Sequence, residues 1–482
     1  MAVSMNNEKR KVVINPVTRV EGHGKVTIQL DENGHVERTR FHIVEFRGFE
    51  RFVQGRMYWE APIIVQRLCG ICPVSHHLAA SKAMDVVEGV DQVSPTAEKM
   101  RRLMHYGQTY QSHALHFFHL ASPDLLFGFD APVEKRHVLA VLAEYPDVAK
   151  KAVLMRKYGQ EVIKATSGKK IHGTGSLPGG VNKNLSIAER DALQAEVDTM
   201  IEWGVEGLEL CKNVTKADLD NLAKFGTFES NFVSIVAEDG CMDLYDGNLR
   251  AIDADGNKIF DQVVPADYLD YIQEEVRPWS YMKFPFIKPL GKEKGWYRVG
   301  PLARVNACDY IDTPIAEKER QEFMALGGGR PVHATMAYHW ARMIELVHSA
   351  EKMKELLADP DLQGTELRRK GERRNRGVAW LEAPRGTLFH HYEVDDKDQI
   401  TLANLIVSTT NNNEAMNEAV RVIADQYLDG KEITEGLLNH IEVGIRAYDP
   451  CLSCATHALG QMRLQVQLTD ADGKLIDEKL RG

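Results

Sequence analysis

Two Cys-x-x-Cys pairs stand near opposite ends of this 482-residue chain, and any fold it adopts has to account for them. The first lies in Arg67-Leu-Cys69-Gly-Ile-Cys72-Pro-Val-Ser-His76 and the second in Asp449-Pro-Cys451-Leu-Ser-Cys454-Ala-Thr-His457. Two residues between cysteines let both sulfurs reach one ion from a single tight turn. Two such turns make a four-thiolate site suited to soft or borderline metals. Zinc ribbons join their pairs across a gap of roughly 15–20 residues. Here nearly the whole chain intervenes, so only the global fold can assemble the site. Spacing alone leaves three chemistries open: a functional metal centre, structural zinc, or redox disulfides. The last is weakened because no thioredoxin-like βαβ pattern surrounds either pair.

Seven cysteines in a chain of this size do not make a disulfide scaffold and fit a reducing compartment. The formal charge of −10 opposes nucleic-acid binding, which needs clustered Lys and Arg. The one basic run, Glu366-Leu-Arg-Arg-Lys-Gly-Glu-Arg-Arg-Asn-Arg-Gly377, has no aromatic for base stacking and reads as a solvated loop. No stretch approaches the ~18 apolar residues of a membrane span. Met1 to Lys11 carries charges but no apolar secretory segment. The expected location is cytoplasmic.

Lys25 to Glu45 reads as a β-hairpin: Val26, Ile28 and Leu30 alternate with polar residues, and Asn33-Gly34 supplies the turn. Helical signals begin at Pro73, and again at Ser94-Pro95, where Ser94 caps a helix predicted to run through His119. Ser186-Ile-Ala-Glu189 is a capping box, and helices are predicted over Val332 to Leu357 and Asn413 to Leu428. Gly- and Pro-rich connections, including 173–180 and 326–330, separate these stretches. There is no internal repeat. The fold class predicted is mainly α with small peripheral β elements (α+β), in one domain of long helices.

At the two cysteine motifs the chain resembles the large subunits of nickel–iron hydrogenases. The likeness extends through Asn15-Pro-Val-Thr-Arg-Val-Glu-Gly-His-Gly24, Phe46-Arg-Gly-Phe-Glu50, Gly300-Pro-Leu-Ala-Arg304 and Ala383-Pro-Arg-Gly386, which stand in family order. Cys69-Gly-Ile-Cys-Pro-Val-Ser-His-His77 and Cys451-Leu-Ser-Cys-Ala-Thr-His-Ala-Leu-Gly460 resemble the soluble NAD-reducing branch.

The resemblance implies that all four cysteines bind nickel, and that Cys72 and Cys454 also bridge to an iron carrying carbon monoxide and cyanide. It makes Cys451 the thiolate that accepts the proton when hydrogen splits, and Glu21 the carboxylate that passes it on. Arg385, after Pro384, would stand over the open site with a planar, permanently charged fork. Thr409 would donate to a cyanide. The family often has Pro-Ser where this chain has Ser408-Thr409, so either hydroxyl fits. His76 would hydrogen-bond a cysteine sulfur. Glu50, the Leu405 carbonyl and His457 would bind a structural magnesium. Apart from the resemblance, Glu21 could be a loop cap and Arg385 an exposed turn residue. His113, His116 and His119 step by three along one predicted helix among Leu115, Phe117 and Phe118, which suggests core packing. Cys211, Cys241 and Cys308 are isolated and read as small buried apolar groups.

Splitting hydrogen releases electrons, yet the chain has neither a cysteine cluster for iron–sulfur wiring nor a Gly-x-Gly-x-x-Gly turn for dinucleotides. The resemblance therefore implies two further partners, a small iron–sulfur subunit and, beyond it, a flavin (FMN) and NAD diaphorase module. It also implies metal-insertion factors and a maturation protease that cuts after His457, giving a catalytic domain of 1–457 and a removed tail of 458–482. The tail is itself foldable. Leu464, Val466 and Leu468 alternate and Asp472-Gly473 offers a turn, so a permanent hairpin is the competing reading. Relatives serving a deazaflavin or heterodisulfide partner, and the inert hydrogenase-like subunit of respiratory complex I, are the alternative functions.

Overall fold

Lys11–Ile14 (β1), Gly24–Leu30 (β2) and Val36–Ile43 (β3) form an antiparallel sheet in the order β1-β2-β3. The predicted hairpin is β2–β3, with Val26 opposite Phe41 and Gly34 in the turn. Val26, Ile28 and Leu30 point into the core, as their alternation requires. β1 carries too few residues to have been read from the sequence. The computed structural model describes residues 11–431, 434–456, 464–469 and 475–481.

Pro73–Val87 (α1) starts at Cys72, so the first cysteine motif is also a helix N-terminus. Pro95–Leu115 (α2) is capped as predicted, with the Ser94 hydroxyl accepting from Ala97 N–H at 3.1 Å. The α-helical pattern stops four residues before His119 and widens into a π-turn over His116–Ala121. Pro123 supplies the reason: it has no N–H for the carbonyl of residue 119, and its ring crowds that carbonyl.

Pro146–Ser167 (α3) and Ile187–Ala217 (α4) follow. The α4 capping box is complete, Ser186 N–H donating to Glu189 Oε2 at 3.0 Å and Glu189 N–H to Ser186 Oγ at 3.3 Å. Asn231–Val236 (β4), Asn248–Ile252 (β5) and Lys258–Val263 (β6) form an antiparallel run, extended by the two-residue strand Tyr297–Arg298 parallel to β4. Pro301–Ala307 (α5) is short. Ala337–Leu357 (α6) begins five residues later than predicted. The Asn306 side chain holds both the N–H (2.9 Å) and the carbonyl (3.0 Å) of Val332, as a strand partner would. Helices α2, α3, α4 and α6 pack on one another and supply most of the core.

Arg376–Ala383 (β7), Gly386–Val394 (β8) and Ile400–Ile406 (β9) form a three-stranded antiparallel sheet inside the molecule. Leu381, Ala383 and Leu388 share a hydrophobic cluster with Leu78, Ala79 and Ala83 of α1. Trp380, Phe389 and Ile406 pack with Val233, Ile235 and Leu249 of the β4–β6 sheet. With both faces covered, β7 and β8 show no alternation of apolar and polar residues, which explains their silence in the sequence.

Asn413–Tyr427 (α7) matches its prediction to within one residue, and Glu435–Ala447 (α8) leads to the second cysteine motif. Leu464–Thr469 (β10) and Leu475–Arg481 (β11) pair as an antiparallel hairpin, and the turn expected at Asp472-Gly473 lies outside the described residues. Four of the six cations of the basic run pair with acids: Arg368 with Glu88, Arg369 with Glu366, Arg373 with Asp398 and Arg374 with Asp91, all at 2.5–2.7 Å. Among the described residues no helix is long and apolar enough to cross a membrane.

Candidate metal centre

The two cysteine pairs meet. Cys69, Cys72, Cys451 and Cys454 are all buried and present four sulfurs within 4.8 Å of one another; among the described residues no other group of three or more His, Cys, Asp or Glu is gathered in this way. Sγ–Sγ separations are 3.3 Å for Cys69–Cys451, 3.7 Å for Cys72–Cys454 and 2.7 Å for Cys451–Cys454. A disulfide is about 2.05 Å, and none of the seven cysteines is in one. The first pair is shaped by its own backbone, since the N–H groups of Ile71 and Cys72 both point at Cys69 Sγ at 3.2 Å. Those amides favour a thiolate.

Burial would raise the Cys69 thiol, but hydrogen bonds from the other cysteines, with Arg385 nearby, bring it well below the ordinary value. Cys451 and Cys454 stay well above it, first through burial; the neighbouring cysteines add to this at Cys451, while at Cys454 Cys451 opposes it and Cys69 and Cys72 add to it. Four thiolates this close repel strongly, so full deprotonation calls for a metal cation among them. Elsewhere burial, the largest cause in each case, pushes Cys211 and Cys308 up to about 12 and Cys241, beside Asp312, to about 11, as expected of inert core thiols.

Glu21 is brought against the second pair by a bridge in which its carbonyl accepts from Leu452 N–H at 2.9 Å. Its carboxylate lies 3.1 Å from Cys451 Sγ and accepts from Ser453 N–H at 3.0 Å. Gly22 makes the approach possible. Its φ is +82°, and a Cβ there would sit 2.7 Å from Ser453 N.

Arg385 sits in the two-residue turn Pro384-Arg385 between β7 and β8 and is buried. Its Nε donates to the Asp449 carbonyl at 2.5 Å and its Nη2 to Asp449 Oδ1 at 3.0 Å. Burial opposes its charge, but Asp449 and then Cys451, Cys72 and Cys69 outweigh that and hold it fully protonated. Nη1 is buried with no partner. The Thr409 hydroxyl oxygen accepts from Cys451 N–H at 2.9 Å, and Ser408 beside it is equally buried.

His76 Nδ1 faces His390 Nε2 at 3.3 Å, and His390 Nδ1 faces the Tyr392 hydroxyl at 2.8 Å. Glu50 Oε1 accepts from Leu405 N–H at 2.9 Å, which joins the two residues expected around magnesium. Burial raises the Glu50 carboxyl against the opposing pull of Lys283. His457, the third expected ligand, lies outside the described residues; the chain reaches Thr456, whose carbonyl accepts from Arg47 and Gly48 N–H at 2.9 and 3.2 Å.

Two of the three histidines resolve as core, His113 bonding Glu345 at 2.9 Å and His116 the Arg446 carbonyl at 2.8 Å, while His119 is half-buried. Asp449, His390 and Tyr392 had no role in the sequence reading. Asp449 carried a signal, standing two residues before Cys451, whereas His390 and Tyr392 lie on a strand without periodicity.

Comparison with known proteins places this geometry. A family model described as nickel-dependent hydrogenase matches residues 47–131 and 234–457, and one described as HoxL-like matches 11–46. The chain is 51% identical to the NAD-reducing hydrogenase HoxS subunit beta of Cupriavidus necator, over 98% of this chain and 100% of the relative. It is 44% identical to one chain of the F420-non-reducing hydrogenase vhc of Methanococcus voltae, over 94% of this chain and 96% of that one. The crystal structure of an NAD+-reducing [NiFe]-hydrogenase in the H2-reduced state superposes with a TM-score of 0.92 at 55% identity, covering 94% of this chain and 100% of its own. With both cysteine pairs inside the matched segments and gathered into one buried site, the chain belongs to the nickel-dependent hydrogenase family.

Proposed function

We propose that this chain is the catalytic subunit of a hydrogenase that reversibly splits H2 into protons and electrons at a nickel–iron centre. One observation carries the reading: a carboxylate, Glu21, lies 3.1 Å from the sulfur of one of four clustered cysteines. A structural zinc site needs four sulfurs but no proton acceptor against one of them. A site that must release protons needs one.

Nickel, with an iron carrying carbon monoxide and cyanide, would polarise hydrogen and take up its electrons. Cys69 and Cys451 would hold nickel alone, and Cys72 and Cys454 would bridge to the iron. Cys451 Sγ receives the proton, and Glu21, within hydrogen-bond reach, carries it outward. The unpartnered Arg385 Nη1 fits an acceptor such as a cyanide nitrogen, because a buried donor left unsatisfied is costly. Pro384 fixes the turn beneath it. Thr409 uses its oxygen on Cys451 N–H and keeps one O–H to donate to the second cyanide, with Ser408 as the other candidate. His76 orients a cysteine sulfur. Glu50, the Leu405 carbonyl and His457 would hold magnesium, and a cation there would keep the buried Glu50 ionised.

Electrons leave through a small iron–sulfur subunit to an FMN and NAD diaphorase module. Phe46, Phe52, Trp59 and Ile63 are each 42–55% exposed in the segment leading to Cys69 and suit the docking of that subunit. Metal-insertion factors load the site, a protease removes 458–482, and the complex works in the cytoplasm. The second reading is a related complex serving a deazaflavin or heterodisulfide partner, and of these the 44% identity to an F420-non-reducing hydrogenase favours an acceptor other than the deazaflavin. The inert complex I-type subunit is disfavoured, because all four cysteines, Glu21 and Arg385 are present and assembled.

Purifying the native complex tests both readings. About one nickel per chain, infrared bands of carbonyl and cyanide, and NAD reduction under hydrogen are expected. Zinc as the sole stoichiometric metal would overturn the function, and reduction of another acceptor in place of NAD would select the second reading.

A further inference from the structure

Gly300-Pro-Leu-Ala-Arg304 has no part in the site described above, yet Arg304 lies directly beneath the turn that carries Arg385. Arg304 is completely buried on α5 and spends its guanidinium on four groups. Its Nε and Nη2 donate to the two Glu345 oxygens at 2.5 and 2.6 Å. Nη1 donates to Glu382 Oε2 at 2.7 Å and to the Ala383 carbonyl at 2.9 Å, and Nη2 also reaches the Pro384 carbonyl at 3.2 Å. Both carboxylates are held in turn. His113 faces Glu345 at 2.9 Å, while Glu382 Oε1 accepts from Ile235 N–H at 3.0 Å and the Thr387 hydroxyl at 2.6 Å.

The turn is also pressed onto the start of α5. Gly386 has φ +135°, and a Cβ on it would lie 2.2 Å from Val299 Cγ2 and 2.9 Å from Gly300 N. An apolar cluster of the same volume would hold a core at least as well as a buried guanidinium with two carboxylates, whose desolvation is expensive. What apolar groups could not do is hydrogen-bond two consecutive carbonyls from below. Only a planar fork with five N–H donors reaches two carboxylates and two carbonyls at once.

We propose that Arg304, set by Glu345 and Glu382, is a positioning residue: it fixes the carbonyls of Ala383 and Pro384 and thereby the direction in which Arg385 presents Nη1 to the four cysteines. This rests on the reading that Arg385 acts at that site. Burial would raise Glu345, but Arg304 and then His113 outweigh it and bring it to about 2, whereas at Glu382 burial outweighs the pull of Arg304 and leaves the carboxyl raised.

The test is Arg304→Lys, which keeps the charge and loses the fork. In the purified full chain, amide hydrogen exchange at residues 385–387 should rise selectively. In matured enzyme with unchanged nickel content, H2–D2O exchange should fall roughly 10–100-fold, the range seen when groups behind a metal site are altered. Placed on an Arg385→Lys background, Arg304→Lys should cost under about twofold more, because the interaction it supports is already gone. Equal fold-losses in both backgrounds with undisturbed amides would overturn the proposal. If Arg304→Lys does not fold, Glu345→Gln runs through the same cycle, and loss of fold in both assigns the cluster to stability and also overturns it. Full exchange activity in Arg385→Lys alone would instead refute the role of Arg385, while the amides would still report on the clamp.

Discussion

The carboxylate of Glu21 lies 3.1 Å from the sulfur of Cys451, although 430 positions separate the two residues in the chain. Glu21→Gln keeps the shape and the acceptor for Ser453 N–H but cannot take up and release a proton near neutral pH. Metal content should be unchanged while hydrogen–deuterium exchange with solvent falls about 10²–10⁴-fold. Near-normal exchange would place the first proton acceptor elsewhere.

Gly22 should be as sensitive as the residues it brings together. Ala at φ +82° is strained by about 1–2 kcal/mol, and its Cβ would push on the Cys451–Cys454 turn at Ser453. Gly22→Ala is expected to lower the unfolding free energy by at least that amount while sharply reducing nickel loading. Normal loading with lost stability would show that the turn tolerates displacement.

Acid should destabilise the fold at unusually high pH. Burial lowers His77, His105 and His113 from 6.5 to about 4, so the folded state keeps them neutral where the unfolded chain protonates them. Each folded pKa is below the unfolded one, so unfolding takes up protons between about pH 6.5 and 4. Stability therefore falls as pH drops through that window, by up to ~3 kcal/mol per histidine. Urea midpoints measured across the window should show the slope. His105→Gln should flatten it by about one proton, or ~1.4 kcal/mol per pH unit. An unchanged slope would exclude His105 as a contributor.

The C-terminus offers a test by mass alone. The family match ends at residue 457, whereas the described hairpin β10–β11 lies wholly beyond it. Intact mass of hydrogen-oxidising enzyme should correspond to residues 1–457. Active protein that still carries 458–482 would show that the hairpin is permanent.

Local chemistry alone determined a large part of this protein. Two residues between cysteines specify paired sulfur ligands, Pro73 and Ser94-Pro95 mark helix starts, and the capping box at Ser186 opens α4, because each signal acts within one turn of chain. The missing iron–sulfur and dinucleotide motifs were equally legible. Tertiary structure alone decided which distant groups meet. Nothing near Arg385 in sequence announces Asp449, 64 positions away, as its anchor, and nothing near His76 announces His390. The sheet 376–406 was hidden for a related reason: buried on both faces, its strands lose the alternation that marks a strand, while polar residues such as Glu382 and His390 break the apolar run. Partners across hundreds of residues are selected by packing and by the need to satisfy every buried polar group, conditions that exist only once the chain has closed around them.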